Sequence, residues 1–180
     1  ELYKKTGKTL ILTGSDISNA TLVYFSRFTY PHMSVLEAIR ITISYPLLYE
    51  PYIFNNRYFI DGAALDCYPM NYFKNIKAKI GICLETEIKK GEPIHKITNI
   101  LNYSTSIIFS ILKKSLSITK KKYKHATIWV TLPQIHALEY GLAYDTKFLL
   151  RNKGYDASIK FINNKIDNHY NYRLKKKYFR

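Results

Sequence analysis

The chain has 180 residues, of which 47% are hydrophobic and 15% aromatic, so it is long and apolar enough to bury a core. This composition excludes a mainly disordered chain, and two cysteines are too few for a disulfide framework, which favours a reducing compartment. The net charge of +15 is uneven, because residues 1–90 hold 11 Lys/Arg against 8 Asp/Glu and residues 91–180 hold 17 against 5.

The first predicted elements are two short strands. Thr9–Thr13 (TLILT) and Thr21–Ser26 (TLVYFS) are rich in β-branched, aliphatic and aromatic residues, and they are close enough in sequence to pair. Between them, Gly14-Ser15-Asp16 predicts a turn.

A helix is predicted next, from about Val35 to Ser44. Ser34 can accept a hydrogen bond from a free backbone N–H of the first turn, and Glu37 can reach back to the start of the helix. This pairing is a capping box. Pro46 is expected to end the helix.

A short strand is predicted at Tyr58–Ile60, leading directly into Asp61 and Gly62. The later run Lys79–Leu84 shows almost no alternation, which is typical of a strand buried on both faces of a parallel sheet. Strands alternating with helices predict an α/β fold with a largely parallel sheet flanked by helices.

The C-terminal half continues this alternation. Ile94–Leu116 predicts a long amphipathic helix that packs on a sheet, with a helix lying on a membrane as the alternative. Ala126–Leu132 predicts a strand, and Asp145–Ile166 predicts a second long helix. The polar, basic segment 168–180 is expected to be a flexible tail.

The chemistry of the chain centres on Asp61. A residue at the carboxyl end of a strand lies where open α/β sheets place their catalytic groups. Gly62 allows a sharp turn and leaves room beside the carboxylate. A carboxylate held in this way can accept a proton from a nucleophile about 3 Å away. Alone, however, Asp-Gly is a common turn dipeptide.

The context of Asp61 resembles the second catalytic block of the patatin-like phospholipase family. That block contains Ala-Ile-Arg on a helix, a Pro-x-x-aromatic-x-Pro loop, an aromatic residue before Asp-Gly-Ala, and a later Pro. The matching residues here are Ala38-Ile39-Arg40, Pro46-Leu47-Leu48-Tyr49-Glu50-Pro51, Tyr58-Phe59-Ile60-Asp61-Gly62-Ala63 and Pro69. The resemblance is strong over residues 34–69 and extends more weakly over most of residues 3–163.

This resemblance implies a patatin-like three-layer architecture, with residues 1–167 as the C-terminal part of the domain. It implies hydrolysis of lipid acyl esters by a Ser–Asp dyad without histidine or cofactor. Asp61 would be the general base toward serine, supported by the loop residues Gly62 and Ala63. The family's serine lies in a Gly-x-Ser-x-Gly elbow, and a Gly-rich loop supplies oxyanion donors.

Neither the elbow nor the Gly-rich loop occurs in this sequence. Both precede the Asp-Gly block in the family, and the chain starts at Glu1 rather than Met, so we expect the N-terminal part of the domain to be missing. The chain alone is therefore predicted to be inactive or nearly so. Ile41-Thr42 and Cys67 replace an Ala-Ser pair and an Asn of the family block, so an inactive patatin-like protein is the alternative.

The expected partners are a phospholipid or another lipid ester and an anionic membrane surface, because Lys and Arg attract acidic headgroups. A nucleic-acid-binding domain fits the charge equally well, but no recognised nucleic-acid motif accompanies it. The five histidines are too scattered to predict a metal site. Without a signal peptide or a run of about 18 apolar residues, the expected location is cytoplasmic or peripheral on a membrane.

Overall fold

A computed structural model of the protein describes residues 2–86, 97–133 and 141–178, with side chains described up to residue 166. The chain divides into two compact units. The first contains Glu1–Pro69 and His95–Lys122, and the second contains Met70–Ile94 and Tyr123–Arg180. The fold class is mixed α/β, as predicted.

The first unit is built on a four-stranded sheet whose order is β2-β1-β4-β3. Its strands are β1 (Ile11–Asp16), β2 (Thr21–Ser26), β3 (Tyr52–Phe54) and β4 (Arg57–Asp61), and every neighbouring pair is antiparallel. The expected largely parallel sheet is therefore wrong for this unit. A four-residue turn joins β1 to β2 and a two-residue turn joins β3 to β4, and connections this short allow only antiparallel pairing.

The predicted turn at Gly14-Ser15-Asp16 is also wrong, because these residues are the buried end of β1. A Cβ on Gly14 would lie 2.6 Å from Ile41 Cγ2 and 2.7 Å from Phe25 Cε2. Glycine is required here by the close approach of a helix to the sheet, and not by a turn.

In sequence, one helix of the first unit precedes this sheet and another lies between β2 and β3. Helix α1 (Leu2–Thr6) was not predicted. Helix α2 (Val35–Thr42) begins at the predicted capping box, in which Ser34 Oγ accepts from Glu37 N and the Glu37 carboxylate accepts from Ser34 N. Its buried residues Ala38 and Ile41 pack with Phe25 and Phe59 of the sheet to form the core.

The second unit contains a parallel pair of strands, β5 (Gly81–Thr86) and β6 (Thr127–Leu132). Helix α3 (Ile100–Tyr123) lies between them in sequence, and parallel strands need a long connection of this kind. The prediction of a strand buried on both faces is wrong for β5, since Ile82 and Leu84 are 66% and 61% exposed. One parallel neighbour is too small a sheet to bury both faces of an apolar strand.

The two long helices differ from their predicted bounds. Helix α3 begins at Ile100, whereas residues 94–96 of the predicted helix lie outside the described residues. Helix α4 spans Tyr144–Tyr178 and packs against β6. It thus continues through most of the segment predicted as a tail, and the flexibility of that segment stays a prediction.

Replacing Gly14 by Ala tests the close packing of α2 on β1. We expect the free energy of unfolding to fall by about 1–3 kcal/mol, because Ile41 and Phe25 must move to admit the methyl group. The control is Gly154→Ala in α4, where an added Cβ would meet no atom within 4 Å beyond its chain neighbours and the adjacent helix backbone, and a gain of about 1 kcal/mol is expected. Urea unfolding followed by circular dichroism measures both, and a Gly14→Ala protein as stable as the parent would contradict the packing.

Candidate active site

Asp61 is the last residue of β4 and is fixed through both its backbone and its side chain. It pairs with Gly14 of β1, and its backbone N–H donates to Ser44 O at 2.9 Å. Its Oδ1 accepts from Ala63 N at 2.9 Å and thereby caps a 3-10 turn at Gly62–Ala64. Within the described residues, no second donor reaches the carboxylate. One carboxylate oxygen is therefore held, and the other is available to a further group.

The electrostatic surroundings of Asp61 favour its neutral form. Burial raises the pKa of Asp61 above its ordinary value of 3.8, and the hydrogen bond from Ala63 N opposes this change only in part. No Lys or Arg contributes to the shift among the described residues. Asp61 is thus a partly desolvated carboxylate without a cationic partner, which makes it a stronger base than an exposed aspartate.

Gly62 is fixed by the closeness of β1. A Cβ at this position would lie 2.2 Å from Thr13 Oγ1 and 2.7 Å from the Thr13 carbonyl carbon, so no larger residue fits without moving the backbone. Ser15 Oγ donates to Gly62 O at 3.3 Å in the buried interior. The turn that carries Ala63 to the Asp61 carboxylate is therefore held against the centre of the sheet.

Arg40, the arginine of the Ala-Ile-Arg motif, braces the segment that anchors Asp61. Its Nη1 donates a short hydrogen bond to Ser44 Oγ, and its Nη2 donates to Glu50 O at 3.3 Å. Ser44 is fully buried and donates in turn to Arg40 O at 2.6 Å. Because Ser44 O accepts from Asp61 N, the guanidinium positions the carboxylate through the chain between them.

An open apolar depression of about 440 Å³ adjoins the strand end. Ile60 and Ile17 line it on one side, and the loop Pro46–Pro51 lines the rest. This loop is the Pro-x-x-aromatic-x-Pro segment of the sequence motif. A second groove, of about 390 Å³, lies over Leu12, Phe25 and Ala38, and neither depression is lined by the Asp61 side chain itself.

The sequence reasoning missed a fully buried carboxylate, Asp16. Its Oδ1 accepts from Ser18 N at 3.0 Å and from Asn19 N at 3.3 Å. Its Oδ2 accepts from Asn19 Nδ2 at 2.9 Å and forms a 3.1 Å ion pair with Arg57. Burial alone would raise the pKa of Asp16, but these donors hold it below its ordinary value. The Asp-x-Ser-Asn spacing, a pattern for a side chain that caps a turn, could have revealed it.

Other candidates from the sequence do not join this site. Cys67 Sγ lies 3.7 Å from Leu112 O, and burial together with the Asp66 charge raises the pKa of the thiol, so it is not an activated nucleophile. His32 is exposed in a loop. Within the described ranges no group of three His, Cys, Asp or Glu side chains could hold a metal ion. No helix in the described part of the chain combines the length and apolar character needed to span a bilayer.

Comparison with known proteins connects this geometry to a family. Residues 3–74 match the family described as Patatin-like phospholipase. A relative from Invertebrate iridescent virus 6, "Probable lipid hydrolase 463L", is 30% identical over 71 residues, which are 39% of this chain and 24% of that protein. "Uncharacterized protein R571" from Acanthamoeba polyphaga mimivirus is 23% identical over 171 residues, which are 91% of this chain and 56% of that protein.

The solved structure of VipD from Legionella pneumophila shares the fold. It superimposes with a TM-score of 0.54 at 12% identity and covers 87% of this chain and 31% of that chain.

The chain spans between about a quarter and just over half of the lengths of the two viral relatives. The predicted resemblance is confirmed over residues 3–74, which include the Asp61 strand and match the patatin-like phospholipase family.

Asp61, which is partly buried, and Asp16, which is fully buried, should affect stability in opposite directions. The pKa of Asp61 is raised in the fold, so its contribution to stability is full below the unfolded pKa and is lost as pH rises through the folded pKa. Asp61→Asn, which stays neutral and keeps an acceptor for Ala63 N, should therefore raise the free energy of unfolding at pH 7. The gain should disappear in acid, below about pH 4.

Asp16→Asn should show the reverse. The pKa of Asp16 is lowered, so its stabilising contribution is present above the unfolded pKa and is lost as pH falls through the folded pKa. We expect a loss of about 1.5–3 kcal/mol at pH 7, since the charged hydrogen bonds disappear. Urea unfolding of both variants between pH 3 and pH 7 measures the two trends, and equal signs at pH 7 would contradict the assignment.

Proposed function

We propose that this chain supplies the general base, Asp61, of a lipid acyl hydrolase of the phospholipase A or esterase type. The single observation that carries the proposal is the hydrogen bonding of the Asp61 carboxylate at the end of β4. One carboxylate oxygen accepts from Ala63 N, and the described residues offer the other oxygen no donor. The raised pKa of Asp61 supports the role, because general bases work best when their pKa approaches the working pH.

The proposed reaction uses Asp61 twice. Asp61 accepts the proton of a serine hydroxyl while the serine oxygen attacks the acyl carbonyl carbon. The tetrahedral intermediate then expels the alcohol, which takes that proton. A water molecule next gives a proton to Asp61, attacks the acyl-serine and releases the fatty acid, and the proton returns to the serine.

The serine in this proposal comes from polypeptide outside the 180 residues. Two buried serines lie near the site, but both hydroxyls already serve the fold. Ser15 Oγ donates to Gly62 O, and Ser44 Oγ donates to Arg40 O while it accepts from Arg40. Neither is free to attack a substrate, and no Gly-x-Ser-x-Gly elbow occurs in the sequence.

The lipid substrate is supported by the family and by the apolar depression lined by Ile60 and the Pro46–Pro51 loop, which could receive an acyl chain. The basic end of α3, with Lys120–Lys122 followed by Lys124, suits an anionic membrane surface. We further propose that residues 1–167 form the C-terminal part of a patatin-like three-layer domain, located in the cytoplasm or peripherally on a membrane.

A catalytically inactive patatin-like protein at a lipid surface is the second candidate. It is favoured by Cys67, which stands where the family block has an asparagine. The Cys67 thiol contacts Leu112 O at 3.7 Å and the side chain of Ser115. A thiol is a weaker hydrogen-bonding group than an amide, so a stronger side-chain hydrogen bond near the Asp61 loop is lost. Activity measurements separate the two candidates.

The test compares two proteins in an assay of long-chain ester hydrolysis on vesicles that contain anionic phospholipid. The 180-residue chain should show no turnover that depends on Asp61. The complete gene product that contains these residues, if it carries an upstream elbow, should be active, and Asp61→Asn should lower kcat by about 100-fold or more.

The matched control is Asp66→Asn on the same loop. The side chain of Asp66 accepts from Tyr68 N at 3.0 Å, an arrangement that asparagine can keep, so activity should be retained. Turnover by the short chain that Asp61→Asn abolishes, or a fully active Asp61→Asn variant of the complete protein, would contradict the proposal. An inactive complete protein would favour the second candidate.

A further inference from the structure

Tyr45 starts the loop after α2, and its backbone is fixed on both sides. Its N–H donates to Ile43 O at 2.8 Å, and its carbonyl accepts from Leu48 N at 3.2 Å and from Tyr49 N at 3.1 Å. The residue before it, Ser44, provides the carbonyl that holds Asp61 N. The Tyr45 side chain thus leaves the backbone one residue from the anchor of Asp61.

The hydroxyl of Tyr45 is buried and has no hydrogen-bond partner among the described residues. Its ring packs against Phe109, with the ring centroids 6.1 Å apart. A phenylalanine would keep this ring contact and avoid the burial of an unpaired hydroxyl. Buried hydroxyls are nearly always paired, so one that has no protein partner points to a role toward another group.

Asp61 is anchored to the residue that precedes Tyr45, through the hydrogen bond from Asp61 N to Ser44 O at 2.9 Å. Burial raises the pKa of Tyr45 above its ordinary value of 10.0, and the Asp61 carboxylate raises it further. Tyr45 therefore remains a protonated donor at neutral pH. By contrast, the hydroxyls of Ser15 and Ser44 already donate to carbonyl oxygens.

We propose that Tyr45 is a further residue of the Asp61 site, and that its hydroxyl donates a hydrogen bond to the same bound oxygen whose proton Asp61 accepts. The inference rests on the proposed function. The bound oxygen belongs to the attacking serine or to water, and it has a lone pair for the phenol while its proton faces the carboxylate. Tyr45 neither gains nor loses a proton; it orients the oxygen and fixes the direction in which the proton leaves.

The first test measures the Asp61 carboxyl carbon by ¹³C NMR during a pH titration of the 180-residue chain, in which a water molecule would be the bound oxygen. Tyr45→Phe should raise the pKa of Asp61 by about half a unit or more, because one member of the hydrogen-bond network is lost. A role in packing alone would leave the pKa unchanged, since the ring is retained. The control is Tyr58→Phe, which should leave the pKa of Asp61 unchanged, because the Tyr58 side chain is half-exposed on the same strand.

A second experiment changes Asp61 and measures the pKa of the unaltered Tyr45. In Asp61→Asn, the carboxylate charge is gone, so the pKa of the Tyr45 phenol should fall toward the value that burial alone sets. An unchanged Asp61 titration in Tyr45→Phe, or an unchanged Tyr45 titration in Asp61→Asn, would overturn the inference.

Activity of the complete gene product separates this inference from the proposed function. Tyr45→Phe should lower kcat about tenfold with little change in KM, because the lost contact acts on the reacting oxygen and not on the lipid. If Asp61→Asn abolishes turnover and Tyr45→Phe has no effect, Asp61 remains the base and the role of Tyr45 is refuted. If Asp61→Asn stays active, the proposed function fails and the inference fails with it.

Discussion

The position of Asp61 depends on the hydrogen bond from Asp61 N to Ser44 O, which joins the end of β4 to the segment that follows α2. The bond forms only because the two elements approach each other closely. Gly14 lets α2 approach β1, and Gly62 lets the turn after β4 lie against Thr13. Arg40 then ties Ser44 to the carbonyl of Glu50. The position of the Asp61 carboxylate is thus set by backbone hydrogen bonds and by the two glycines that allow the elements to approach each other.

Asp16 and Asp61 show how differently the same residue type is held in one fold. Asp16 accepts from four donors, including the guanidinium of Arg57, and these donors stabilise its charged form. Asp61 has one donor and no cation among the described residues, so its charged form is disfavoured. The fold thus loses stability at Asp61, and the proposed role as general base accounts for this loss. Such a conflict with local stability is typical of functional sites.

The sequence predicts what is encoded locally and misses what depends on distant contacts. The Ser34–Glu37 capping box lies within four residues, and it was predicted correctly because its hydrogen bonds need only one helical turn. The Asp16–Arg57 ion pair joins residues 41 positions apart, so no local pattern reveals its partner. Gly14 and Gly62 look alike in sequence as turn residues, but Gly14 lies inside a strand and serves the packing of a helix. The antiparallel sheet was missed because Gly14–Asp16 were assigned to a turn instead of β1 and because β3, with only three residues, was not recognised.

The central claim is that the Asp61 carboxylate is presented from a strand end to a hydroxyl that the rest of the protein supplies. The most direct measurement is an experimental structure of the complete gene product, in which the distance from the Asp61 carboxylate to the nearest serine Oγ is read. The account predicts about 2.6–3.2 Å to the serine of a strand-to-helix elbow. A carboxylate oxygen paired instead with a lysine or arginine, with no serine hydroxyl within reach, would contradict it.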